Sequence, residues 1–178
     1  MARDAEPATL SHPLGSLALR GQSRMHFTID LATQAAMACY DITAELNTHL
    51  EASGLQDGVL VAVAQHTTTA LVINEAEERL MADIGTFFSS LVPAGHPWQH
   101  NDLHLRDVPP EEPRNAHSHL IALMLGSQVC VPIVGGRLGL GRYQSVMLVE
   151  LDGPRPRQVL VQLLGSATPL LAQVAAID

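Results

Sequence analysis

Val59-Leu60-Val61-Ala62-Val63-Ala64, running directly into Gln65-His66-Thr67-Thr68-Thr69, is the stretch on which the fold turns. Six apolar residues with no polar alternation predict a strand buried on both faces. A histidine and three threonines at the end of that strand place hydrogen-bonding groups at the edge of a core. Upstream, Met25 to Leu31 predicts another strand, with Phe27, Ile29 and Leu31 on one face at period two. Between them, Ala35, Cys39, Ile42, Leu46 and Leu50 recur every three or four positions from about Thr33, which predicts a helix stopped by Gly54 with Cys39 in its packing face.

Downstream, Ala70 to Ile73 is a second short apolar run. Asn74 with Glu77 three residues later predicts a capping box, opening a helix whose buried stripe is Leu80, Ile84, Phe87 or Phe88, and Leu91, ended by Pro93. Five prolines between Pro93 and Asn115 predict a long irregular loop, a kind that is usually functional. His117 to Leu125 predicts a short helix with Leu120 and Met124 inward, closed by Gly126. Gln128 to Val134 and Leu138 to Leu151 predict strands joined at Gly135-Gly136, and Gln158 to Leu164 one more. The expected class is α+β: one domain over residues 21–165, with buried central strands, two main helices and a C-terminal antiparallel meander. Residues 1–20 form an N-terminal extension with a candidate first strand at Leu14 to Leu19, and residues 166–178 an apolar tail that Pro169 starts as a helix.

The 178 residues carry ten basic against eighteen acidic side chains, a formal charge of −8, and 47% hydrophobic residues. Too apolar for a disordered chain, the sequence has no run of about 18 apolar residues to cross a bilayer and no basic patch for nucleic acid. All ten basic residues are arginine, so Schiff-base chemistry and a phosphate-loop lysine are excluded. Two distant cysteines, Cys39 and Cys130, and an acidic N-terminus predict a reduced, cytoplasmic protein.

Nine histidines direct attention to metal or proton chemistry. His117 and His119 in Asn115-Ala116-His117-Ser118-His119, if extended, point to one side, and the proline-rich loop is long enough to bring His100 back to them. Three imidazoles with an open fourth position make zinc a Lewis acid and lower the pKa of its water; the plain alternative is loop capping. His66 is a candidate acid or base, with Thr67 and Thr68 to hold an anionic substrate. Glu75, expected in the first helical turn, is a candidate base or metal-facing carboxylate, or simply helix-end electrostatics. Arg137 and Arg142 on the glycine-rich hairpin are candidates for a phosphate or diphosphate, although turn glycines alone explain the pattern. Arg155 and Arg157 are expected on the solvated surface.

The succession His66-Thr67-Thr68, Ile73-Asn74-Glu75, His100-Asn101, Asn115-Ala116-His117-Ser118-His119-Leu120, Leu125-Gly126, Val131-Pro132-Ile133, Gly136-Arg137-Leu138 and Gly153-Pro154-Arg155 resembles the YjbQ family over about Arg24 to Gly165. The resemblance implies an α+β homotrimer with a polar pocket from the neighbourhoods of His66, Glu75, His100 and His119. It also implies a secondary thiamine-phosphate synthase, joining a hydroxymethylpyrimidine diphosphate to a thiazole phosphate and releasing diphosphate. Thr67, Asn74 and His117 match further polar positions, and Gln144 matches the last residue of the family's Gly-Thr-Trp-Gln motif. Here that motif reads Gly141-Arg142-Tyr143-Gln144, and Ile121 stands where a polar residue is usual. Either a ligand's charge is met differently or the site has drifted. On the synthase reading Arg137 and Arg142 hold diphosphate, Glu75 or Asp102 binds magnesium through water, and His66 or His119 moves protons. A zinc-dependent hydrolase would use His100, His117 and His119 as ligands with Glu75 as base. A third reading is a non-catalytic trimer that binds a small phosphorylated molecule.

Overall fold

The computed structural model describes residues 22–167, so the expectations for Leu14 to Leu19 and for the tail from residue 168 lie outside the described residues. Eight strands and three α-helices are present among them: β1 Gln22–Ala32, β2 Ala38–Asp41, α1 Thr43–Ser53, β3 Asp57–Ala64, β4 Thr69–Asn74, α2 Glu78–Leu91, α3 Ala116–Leu125, β5 Gln128–Val134, β6 Arg137–Leu138, β7 Ser145–Glu150 and β8 Pro156–Ser166. The mixed α+β class is as the sequence predicts. A five-stranded sheet has the order β1-β8-β3-β5-β6 and a three-stranded sheet the order β2-β7-β4, with every pairing antiparallel.

Strand periodicity explains the layers. Ile29, Leu60, Ala62, Val131, Val161 and Leu163 point inward from the large sheet and meet α1 through Leu46 and Leu50, and the small sheet through Leu71, Val146 and Leu148. The small sheet's other face, Ala70, Val149 and Leu151, packs on Ile121 and Ala122 of α3 and on Phe88 of α2. Alternate residues of β7 therefore feed two cores, which explains why it is buried almost throughout.

Several expectations change. Strand β3 alternates buried and half-buried residues rather than being covered on both faces. The helix expected from Thr33 begins only at Thr43, because residues 38–41 pair with β7 as a strand carrying Cys39. Helix α2 has no fully buried residue, and Phe87 and Leu91 are exposed. Its cap is Glu77, whose carboxylate accepts from the amides of Arg79 and Leu80, while Asn74 bonds only the amide of Glu75. Met124 is exposed, and Ile121 and Ala122 face inward instead. The C-terminal strands alternate between sheets: β7 crosses to the small sheet, and β8 returns to insert between β1 and β3.

Candidate functional site

At one end of the sandwich the core alternation continues into charged residues. Inward positions Val159 and Val161 of β8 extend back to Arg157, and Val146 and Leu148 of β7 extend forward to Glu150, so the two sheets meet there through an ion pair. Glu150 is 0% and Arg157 4% exposed, correcting the surface position expected for Arg157. The contact is bidentate, Nε to Oε2 and Nη2 to Oε1, each 2.6 Å. Thr33 donates to Glu150 at 2.9 Å, and the amides of Leu151 and Asp152 at 2.9 and 2.8 Å. Burial alone would push the Glu150 carboxyl up, but the bonds from Arg157, the Asp152 amide and Thr33 outweigh it and hold the pKa below the ordinary value. Arg157 also donates to Thr68 Oγ1 at 3.1 Å, so Thr68 serves the framework.

His66 lies just outside this pair. Its Nε2 accepts the Gln158 amide at 2.9 Å, which places the ring proton on Nδ1 and makes that atom a donor. Burial, with the Arg157 charge adding and Glu150 opposing, holds its pKa below the usual imidazole value. Across the gap stands His119 of α3, whose ring meets that of His100 edge-on at 4.8 Å. Its pKa is also lowered, first by burial and then by His100, against the pull of Asp152 and Glu112. The helix is fixed to this end by Ser118 Oγ donating to the Leu151 carbonyl at 2.6 Å and by Asn115 Nδ2 donating to Asp152 at 2.7 Å. The long loop contains two 3-10 turns and is pinned to α3, with Asn101 Oδ1 accepting the Ala116 amide at 3.1 Å.

His66 and His119 border one cleft with two lobes, which share Gln65, His66, Thr67 and His119. The polar lobe, about 370 Å³, adds Glu112, Asn115, Asp152 and Arg155. The second, about 600 Å³, is lined by Leu120, Ala122, Leu123 and Gly126. The carboxylates of the polar lobe are partnered, Asp152 by Arg155 at 3.1 Å and Glu112 by Arg106 at 3.6 Å. Among the described residues, three buried side-chain atoms have no hydrogen-bond partner: Asn115 Oδ1 in the polar lobe, His100 Nε2 beside His119, and His117 Nδ1 on another side of α3.

The other sequence candidates lie elsewhere. His117 is in α3 rather than in an extended stretch, and two helical positions turn it about 200° from His119. Glu75 follows the far end of β4, about 20 Å along the strand from Thr69, before rather than within the first turn of α2. Asn74 and Gln144 share that end, where Asn74 pairs with Ser145. Gln144 closes a turn by accepting the Gly141 amide at 2.8 Å, and the Arg142 guanidinium lies over the Tyr143 ring at 5.4 Å. Arg137 sits on the exposed β5–β6 hairpin, next to the end of β3 opposite His66. Single-chain geometry thus joins His66, Thr67, His100 and His119 and leaves out Glu75, Asn74, Arg137, Arg142 and Gln144.

A family model described as "UPF0047 protein YjbQ-like" matches residues 27–166. This chain belongs to the YjbQ-like family. UPF0047 proteins from Methanothermobacter thermautotrophicus and Archaeoglobus fulgidus are similar to it, at 36% identity over 137 residues (77% of this chain, 90% of the relative) and 39% over 136 (76% and 98%). Among solved structures, a YbjQ-like protein of unknown function from Sulfolobus solfataricus superposes with a TM-score of 0.73 at 34% identity, covering 82% of this chain and 99% of that one. A hypothetical protein from Aeropyrum pernix gives 0.71 at 39%, covering 80% and 99%.

The three-imidazole zinc site expected for this YjbQ-like chain does not fit the observed donors. The unpartnered Nε2 of His100 beside His119 offers two imidazoles, but His117 is turned away. No group of three His, Cys, Asp or Glu side chains is placed to hold a metal among the described residues. Gly153, by contrast, has a structural reason within the YjbQ-like site. A Cβ there would overlap the Ala35 carbonyl oxygen and come within 2.8 Å of Glu150 Cγ. Gly153→Ala is therefore expected to lower stability by about 1–3 kcal/mol, the usual range for overpacking, in urea titrations followed by circular dichroism. A loss under about 0.5 kcal/mol would show that the turn yields freely.

Proposed function

We propose that the His66–His119 cleft is the active site of an enzyme acting on a small phosphorylated molecule with a ring-like apolar body. The nominal reaction is the synthase reaction, joining hydroxymethylpyrimidine diphosphate to thiazole phosphate with release of diphosphate. The observation that carries this reading is that two imidazoles with lowered pKa values share a cleft with one polar and one apolar lobe. The apolar lobe takes a ring against Leu120 and Leu123. In the polar lobe, Nδ1–H of His66, the Thr67 hydroxyl and the Arg155 guanidinium supply donors to phosphate oxygens. The thiazole nitrogen bonds the pyrimidine methylene as the carbon–oxygen bond to diphosphate breaks, and His119, neutral near pH 7, accepts a proton shed by the pyrimidine as diphosphate departs and returns it once the new bond has formed.

The lobe's charges are balanced in pairs, so a phosphate competes with Asp152 for Arg155 and its binding weakens with added salt. The cationic help that a departing diphosphate requires then comes from magnesium, from another copy, or from both. With Asn74 about 17 Å and Glu75 about 20 Å from Thr69 along β4, and Gln144 next to Ser145, the partner of Asn74, with Arg142 two positions before it, those groups reach a cleft only from a second copy. This favours the homotrimer as the working form.

The test is direct. Purified protein with both substrates and magnesium is expected to release diphosphate and form thiamine phosphate, and His119→Ala to slow this by about 10²–10⁴-fold while circular dichroism is unchanged. Saturable binding without turnover would replace the enzyme by a binding module. Hydrolysis of simple phosphoesters that depends on zinc would replace the synthase by the hydrolase.

A further inference from the structure

Asn115 holds the N-cap position of α3, its carbonyl accepting the amides of Ser118 and His119 at 2.9 and 3.3 Å. An asparagine there ordinarily turns its Oδ1 to the free amides of the first turn. This one does not. Asn101 caps the Ala116 amide instead, and the Asn115 side chain reaches Asp152, where Nδ2 donates to Oδ2 at 2.7 Å. An ionised carboxylate only accepts, so the amide cannot be turned over and Oδ1 is its other end. Asn115 is 6% exposed and lines the polar lobe, and its Oδ1 is buried with no donor among the described residues. Native structures leave few buried acceptors unpaired, and one at the wall of a cleft calls for a donor that arrives with the ligand.

The neighbours of Asn115 select the donor. His119 is four residues on, so its ring stands on the same face of α3, about 5–6 Å away at Cβ, and in its neutral form it brings one acceptor nitrogen. Leu123 is one turn further, and with Leu120 and Ala122 it lines the apolar lobe. Along the helix the cleft therefore meets an acceptor, a second acceptor and then apolar side chains. We infer that Asn115 and His119 together recognise an amino group on the substrate's ring, an inference that rests on the cleft's proposed function. The two hydrogens of an amino group, about 120° apart, reach acceptors about 5 Å from each other, close to the spacing of one helical turn. A hydroxyl has one hydrogen for two acceptors, and an oxo group sets its lone pairs against both. A metal cation fits less well, because both carboxylates of the lobe already hold arginines, Asp152 that of Arg155 and Glu112 that of Arg106. Asp152 Oδ2 holds Asn115 Nδ2 and Arg155 Nη2 alike, so one atom positions both the acceptor for the amino group and the donor to phosphate.

The full chain is titrated by calorimetry with two probes, the phosphate ester of hydroxymethyl-aminopyrimidine and the same compound with an oxo group in place of the amino group. The parent should bind the amino compound at least about tenfold more tightly. Asn115→Ala, or Asn115→Ser should alanine fold poorly, should bring the two affinities within about threefold of each other by weakening the amino compound. The preference is read within one protein, so a merely structural loss at the start of α3, which weakens both probes alike, does not move it. Equal binding of the probes by the parent, which leaves Oδ1 to a water, overturns the amino assignment, as does a variant that weakens both probes alike; either result leaves the cleft's function standing. A parent that binds neither probe overturns both.

Discussion

Arg157→Ala is expected to destabilise the fold by about 3–5 kcal/mol at pH 7, because removing one member of a buried ion pair leaves the other charge uncompensated. Glu150 has no exposure, and without the guanidinium only Thr33 and the amides of Leu151 and Asp152 remain to solvate it. The effect has a pH signature. In the parent, the folded carboxyl lies below the ordinary carboxyl value of 4.5, so its contribution is complete above that pH and is lost as pH falls through the folded pKa. In the variant, burial acts unopposed by Arg157, and the carboxyl takes up a proton more readily. The stability gap between the two proteins is therefore largest near neutrality, begins to narrow as pH falls through the variant's higher carboxyl pKa, and stops changing only below the parent's lowered one. Glu150→Met with Arg157→Met should recover much of the loss, since an apolar pair leaves no orphaned charge. Urea titrations from pH 4 to 8 read all three; a pH-independent gap, or one under about 1 kcal/mol at pH 7, would show that the pair is solvated and contributes little.

That ion pair also shows how far the sequence could be read. Periodicity located β1, β4, β5 and β8 and the helix before Gly126, because each has a run of apolar residues long enough to define its own phase. Extending the phase of Val159 and Val161 by one step would have put Arg157 inside, and that of Val146 and Leu148 would have done the same for Glu150. A charged residue beside a proline turn instead suggested a surface. The Cys39 segment was misread because Ala35 to Ile42 has helical spacing by coincidence, and pairing with β7 overrides local propensity. At the site, the order of polar residues suggested one pocket. Sequence order carries no information on which end of a strand a residue occupies, and β4 alone separates Glu75 from His66 by its length. The imidazoles of His100, His117 and His119 do not converge within one chain for a related reason: the His-x-His spacing converges in a strand and diverges in a helix, and this segment is α3.

His119→Ala should lower turnover of the cleft's substrate by about 10²–10⁴-fold, the range for loss of a positioned acid or base, with little change in KM. His66→Ala should act mainly on KM. Its Nε2 is held by the Gln158 amide and only Nδ1–H faces outward, so it binds an oxygen in ground and transition states alike. The pH dependence separates the roles further. Burial and the adjacent His100 ring hold the His119 pKa below the ordinary imidazole value of 6.5, so the neutral, proton-accepting form persists under mildly acidic conditions. The kcat/KM profile should therefore stay level from pH 8 down past 6.5 and fall only below it, as the imidazole takes up a proton. Replacing His100 by Phe removes the imidazole that opposes protonation of His119 but keeps a ring against it, so the acid limb should move to higher pH with the fold retained. A limb already at or above pH 6.5 in the parent, or one that ignores His100→Phe, would assign the proton transfer to another group and leave His119 as a wall of the cleft.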